Sequence, residues 1–135
     1  VTTGALFSDY QRERIEKIAA SLKLKVFSPL WHKDQEEEIR EIVNSGFKFI
    51  ITKVAAEGLD KTWLNRVITN KDIDKLVKIK EKCDINVAFE GGEAESLMVD
   101  GPIFKKSIKI VESEIREESK SVAELIIKKA ELILA

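Results

Sequence analysis

Two stretches of the chain gather residue types that do chemistry. The first is EGGEAES, residues 90–96, where Glu90, Glu93 and Glu95 surround the pair Gly91-Gly92 and Ser96 follows, with no basic residue inside the run. Glycines reach backbone angles closed to other residues, so the loop can turn tightly and bring the three carboxylates toward one volume. Carboxylates held together repel, and a cation relieves that: Mg²⁺, a protonated amine and a quaternary ammonium all suit the charge. A solvated Gly-Gly hairpin turn fits the same spacing, because it needs only the two glycines.

The second stretch is TGALFSDYQRER, residues 3–14. It places Gly4 at the carboxyl end of an expected strand and a polar helix start, Ser8, Tyr10, Gln11, Arg12 and Arg14, immediately after it. Ligands of open α/β sheets bind at that edge, where a glycine admits backbone and helix-start N–H groups face an anion. The plainer alternative is that Ser8 and Gln11 only cap the helix while Arg12 and Arg14 pair with Glu13 and Glu16 in solvent.

The elements that must position these residues follow from periodicity. A strand is expected over Val1–Leu6, then a helix from Ser8 with Ile15, Ile18, Ala19 and Leu22 on its apolar side. A short strand at Lys25–Phe27 ends at Ser28-Pro29, and Asp34 with Glu37 starts a second helix carrying Ile39, Ile42 and Val43 inward, closed by Gly46. The run Phe47–Val54 reads as a buried strand, and the order strand, helix, strand, helix, strand implies a parallel α/β sheet. Beyond Gly58 the pattern becomes α+β. A short helix is expected near Trp63, Leu64 and Val67, and a longer one from Asn70 to about Cys83. Strands are expected at Ile85–Phe89, Leu97–Val99 and around Ile108–Val111, and a last helix starts at Ser121 with Val122, Leu125, Ile126, Leu132 and Ile133 inward.

Composition bounds the function classes. The 135 residues, 44% of them apolar, suffice for one ordinary core. With 23 basic against 24 acidic residues, bulk charge gives no reason to expect direct nucleic-acid binding. The one cysteine, Cys83, excludes an internal disulfide and fits a reducing compartment. No apolar run long enough to span a membrane is seen, so a cytoplasmic location is the expectation. Trp31 and Trp63 read as packing residues, His32 as structural or surface, and Lys105-Lys106 as a guard on a strand edge.

Taken in order, Gly4, SDYQRER at Ser8–Arg14, PLW at Pro29–Trp31, Gly58-Leu59, EGGEAES at Glu90–Ser96 and DGPIF at Asp100–Phe104 resemble the diphthine–ammonia ligase family. That family belongs to the PP-loop, or N-type, ATP pyrophosphatases. The resemblance implies an ATP- and Mg²⁺-dependent amide ligation: the carboxylate of diphthine, a modified histidine on translation elongation factor 2, is adenylated, and ammonia displaces AMP. It implies further that Gly4, Ser8, Tyr10 and Gln11 face the nucleotide and that Arg12 and Arg14 serve the reacting groups. Glu90, Gly91, Gly92, Glu93, Glu95 and Ser96 would then face the trimethylammonium-bearing substrate; metal ligands stay unassigned.

On fold, the resemblance implies the end of a HUP-type parallel sheet over residues 1–57 and an α+β substrate region over 58–135. Three departures stand out. The family's phosphate-binding Ser-Gly-Gly-Lys-Asp-Ser motif has no match here, Ala94 stands where an aromatic is usual and Phe89 where a glycine is frequent, and Ser96 replaces a common threonine. The expectation is therefore a carboxyl-terminal portion, inactive alone, whose PP-loop segment lies elsewhere in the same or another chain. The alternative is a non-catalytic module that recognises the elongation factor or a cationic ligand.

Overall fold

Ser8 takes the extended backbone of a helix cap, its hydroxyl accepts a hydrogen bond from the Gln11 N–H at 3.3 Å, and helix α1 follows over Asp9–Ser21. In the computed structural model, which describes residues 1–4 and 8–134, α1 lies in the first of two compact units, Val1–Asp34 and Gln35–Ala135. The first unit also brings Thr2 beside Phe27 in a single parallel bridge, with Phe27 N–H donating to the Val1 carbonyl and Thr3 N–H to the Phe27 carbonyl. The two strands expected at Val1–Leu6 and Lys25–Phe27 are thus reduced to one bridge among the described residues, and Ala5 and Leu6 lie outside those residues.

The second unit holds α2 (Gln35–Asn44), β1 (Lys48–Ala55), a 3₁₀ turn (Lys61–Trp63), α3 (Asn70–Cys83), β2 (Ala94–Asp100), β3 (Lys106–Ser119) and β4 (Val122–Leu134). The strands form one sheet in the order β2-β1-β4-β3, and every adjacent pair is antiparallel. This corrects the expected parallel sheet. The expectation pairs β1 with strands before it, but both its neighbours, β2 and β4, come after it in the chain.

Two further expectations are overturned. The last helix, expected from Ser121, is strand β4. Its Leu, Glu, Lys and Ala residues favour a helix in isolation, but the segment pairs with β3 along its whole length, from Ser119 opposite Val122 to Lys106 opposite Leu134, and tertiary pairing overrides a weak propensity. Ser121 lies in the tight turn of that hairpin rather than capping a helix. The strand expected at Ile85–Phe89 is a non-regular connection, in which Ile85 and Val87 are buried while Asn86 accepts from the Ala88 N–H through its side chain.

The main core lies where α2 and α3 pack on the sheet, around Ile39, Phe49, Ile51, Val54, Ile73 and Leu76. A second cluster joins Ile50, Val99 and Leu125, with Leu97, Ile108, Ile110 and Ile127 against it. α3 spans Asn70–Cys83 as its sequence suggests; Thr69 is its cap, and a reciprocal capping box ties it to Asp72. Asp72 is nearly buried and accepts from Thr69 N–H and hydroxyl, both at 2.9 Å, and from Arg66 Nη1 at 2.6 Å. Arg66 in turn donates to the Thr62 carbonyl and lies over the Trp63 ring, 5.0 Å from its centre. One guanidinium therefore joins the 3₁₀ turn to the start of α3.

Burial alone would raise the Asp72 carboxyl, but the hydrogen bonds from Arg66 and Thr69 outweigh it and hold it below its ordinary value. A carboxylate with a lowered folded value adds stability above its unfolded pKa of about 3.9, and that contribution disappears as pH falls through the lower folded value. Asp72→Asn is therefore expected to cost about 2 kcal/mol at neutral pH, with a flatter stability profile below about pH 4, both read from urea unfolding. Gly58, just after β1, has φ +92°, and a β-carbon there would lie 2.5 Å from Ile79 Cγ2 and 3.1 Å from Cys83 Sγ. Gly58→Ala is expected to lower stability by about 1–3 kcal/mol in the same assay, through strain at that φ and overpacking on α3.

Candidate functional site

The EGGEAES run turns at Gly91-Gly92, where Gly92 has φ +82°, and enters β2 at Ala94. Its three glutamates separate by role. Glu93 is half-buried and closes the loop on itself: Oε1 accepts from the Asn86 N–H at 3.0 Å and Oε2 from the Gly91 N–H at 2.9 Å. A carboxylate accepting two backbone N–H groups satisfies donors that a tight loop would otherwise leave open. Glu90 is exposed at the turn, and Glu95 is exposed on β2. Among the described residues, no three His, Cys, Asp or Glu side chains come together as a metal site.

Alternation along β2 splits the end of the motif. Ser96 lines a recess of about 90 Å³ together with Phe49, Phe89, Met98, Ile42 and the buried Glu38. Glu95 projects to the other side of the sheet. There, strand register sets it opposite Lys53 of β1, Lys53 opposite Glu124 of β4, and Glu124 opposite Arg116 of β3. Directly opposed residues share a face, so a row of alternating charge crosses all four strands.

A bulge in β1 places this row. Ile51 pairs with Ser96 and Lys53 with Glu95, leaving Thr52 as the extra residue, whose hydroxyl donates to the Glu95 carbonyl at 3.3 Å. Without it, Lys53 would stand opposite Ala94 and point into the core. With it, Val54 takes that position, fully buried, and Lys53 turns outward. Sequence reasoning missed Lys53, although a charge inside the apolar run FKFIITKVA was a usable signal. Glu124 and Arg116 had no such signal, because their placement depends on a hairpin whose second strand reads as a helix.

In the first unit, the expected site residues make local contacts. Arg12 lies over Trp31 at 5.0 Å and beside Glu16 at 3.8 Å, and Arg14 lies over Tyr10 at 4.3 Å. Trp31 also stacks on His32, 4.7 Å between ring centres, and His32 has φ +60°. Ser8 and Gln11 form the helix cap, and Asp9 puts a carboxylate in the first turn, which disfavours an anion at that end. A β-carbon at Gly4 would meet nothing within 4 Å. No helix among the described residues is long and apolar enough to cross a membrane.

Comparison with known proteins adds to this geometry. The family described as the diphthamide synthase C-terminal domain matches residues 34–133, a region that begins one residue before the second compact unit. The diphthine–ammonia ligase of Schizosaccharomyces pombe is 42% identical over 119 residues, covering 88% of this chain and 20% of that protein. The mouse protein of that name is 40% identical over 115 residues, covering 84% of this chain and 43% of its own length. The human one is 37% identical over 116 residues, with coverage of 85% and 43%. This chain therefore spans less than half the length of these curated relatives. On the match over residues 34–133, with this identity to several ligases, the chain belongs to the diphthamide synthase C-terminal domain family.

Proposed function

We propose that this chain is the substrate-recognising part of a diphthine–ammonia ligase, a protein that converts diphthine on translation elongation factor 2 to diphthamide with ATP and ammonia. The observation that carries this reading is the acidic loop at Glu90–Ser96 in a chain of this family, with Glu90 and Glu95 left facing solvent once Glu93 has closed the loop. Diphthine carries a trimethylammonium group, which cannot donate a hydrogen bond and is recognised through charge and apolar contact. Exposed carboxylates on a rigid strand end supply the charge.

ATP, when bound to the whole protein, supplies the activation that makes a carboxylate oxygen a leaving group. The described residues offer no three-carboxylate cage for Mg²⁺, and Asp9 opposes an anion at the start of α1. Arg12 and Arg14 are proposed to act at the margin of the nucleotide site, together with Gly4, Ser8, Tyr10 and Gln11. The part assigned to the second unit is to hold the elongation factor's modified histidine still, with its cation at Glu95 and the loop.

The whole protein containing this chain, incubated with diphthine-bearing elongation factor 2, ATP and ammonium, is expected to convert the carboxylate to the amide and release pyrophosphate, read by mass spectrometry of the factor and a pyrophosphate assay. Failure of both readouts rejects the ligase reading.

The glutamates are expected to behave differently in that assay. Glu95→Gln should raise KM for the factor several-fold while stability stays within about 0.5 kcal/mol of the parent. Glu93→Gln should lower stability by about 1–3 kcal/mol, because the amide NH₂ then faces a backbone N–H it cannot accept from. Equal effects of the two substitutions on both measurements would contradict the division of roles.

A further inference from the structure

Beyond Glu95, the charge row behind the acidic loop has no part in the reading above. Lys53 sits half-buried in the middle of β1, between Glu95 on one neighbouring strand and Glu124 on the other. Antiparallel neighbours lie about 4.8 Å apart, so three successive charges fall within the span of a single small ligand. Some cations nearby are paired: Lys48 of β1 with Asp100 at 3.0 Å, Lys128 of β4 with Glu114 at 2.5 Å, and Lys61 of the 3₁₀ turn with Glu117 at 3.3 Å. Among the described residues, neither Lys53 nor Arg116 has a carboxylate within 4.0 Å, although each has one on the strand opposite.

A second, independent observation lies at the same place. Lys53, Arg116, Glu118 and Glu124 line a recess of about 90 Å³ together with Val122 and Ala123. Two cations and two carboxylates line it, with Glu124 opposite both Lys53 and Arg116, and Glu95 and the acidic loop lie on the β2 side of Lys53. The bulge at Thr52 is what turns Lys53 toward this recess instead of the core.

We propose that Lys53, supported by Arg116, binds a carboxylate while Glu95 binds the cation beside it, so that this sheet face recognises a carboxylate and a quaternary ammonium carried on the same carbon. This rests on the diphthine reading for the identity of the substrate and adds to it a specificity residue, Lys53. Recognition of the carboxylate as well as the cation discriminates the substrate from other alkylated amines, since a cation alone leaves the Lys53 ammonium unanswered. The carboxylate held by Lys53 is also the group that becomes the amide.

The test uses the whole protein containing this chain, titrated by NMR with glycine betaine, which carries both charges, and with choline, which carries only the cation. The parent is expected to bind betaine more tightly than choline. Lys53→Met should weaken betaine about tenfold and leave choline unchanged, as expected for loss of one charge-assisted contact. Lys53→Arg should keep the preference for betaine, and Glu95→Gln should weaken both probes. Equal affinity of the parent for the two probes, or an unchanged betaine affinity in Lys53→Met, overturns the proposal.

Turnover separates this outcome from failure of the ligase reading. If the parent converts the elongation factor and Lys53→Met does so with unaltered kcat/KM, the ligase reading stands and the role of Lys53 is rejected. If the parent does not convert it, the ligase reading fails, and the betaine titration, which needs neither ATP nor the factor, still decides Lys53.

Discussion

One extra residue in a strand organises the second unit. Thr52 has no opposing residue on β2, and its insertion changes which side chains of β1 face the helices. Ile51 and Val54 both point into the main core although an odd number of bonds in an unbroken strand would send them to opposite sides. Between them the strand releases Lys53 to the other face. A bulge costs ladder hydrogen bonds and is tolerated where the gain elsewhere is larger. Here it lets a charged residue occupy the central region of a sheet without being buried in it, which an ionised ammonium would resist strongly.

The acidic loop shows a related economy of charge. A run of three glutamates suggests a cation held among them, but Glu93 spends its two oxygens on the backbone of its own loop. Gly91 explains why the loop is so close: a β-carbon at this position would lie 2.5 Å from Glu93 Oε1. The loop is therefore shaped by one carboxylate and presents the other two. Its far anchor is the connection after α3, where Asn86 turns the chain and donates its N–H to Glu93. That connection is positioned by α3, and α3 by Asp72 and Arg66 at its start.

The hairpin of β3 and β4 extends the sheet beyond what β1 alone can pair. β4 meets β1 only over Val122–Glu124, close to the hairpin turn, yet those few residues bring Glu124 into line with Lys53. The register of β3 against β4 then carries the alternation on to Arg116. Charge patterns of this kind arise from three separate strand pairings and have no counterpart in any local stretch of the chain.

What the sequence determined by itself is what depends on neighbours a few residues apart. The helices at Asp9–Ser21, Gln35–Asn44 and Asn70–Cys83 were legible from caps and apolar spacing, as was the buried run that becomes β1, because those signals act within one or two turns of chain. The acidic loop was legible as a local concentration of charge around two glycines. Tertiary structure alone decided the rest. The run after Ser121 carries apolar spacing compatible with a helix and a strand, and only its pairing with Lys106–Ser119 selected the strand. The antiparallel order of the sheet, the inward turn of Glu93 and the alignment of Glu95, Lys53, Glu124 and Arg116 each require residues far apart in sequence to meet. Their energies belong to pairs of segments, and no single segment encodes them.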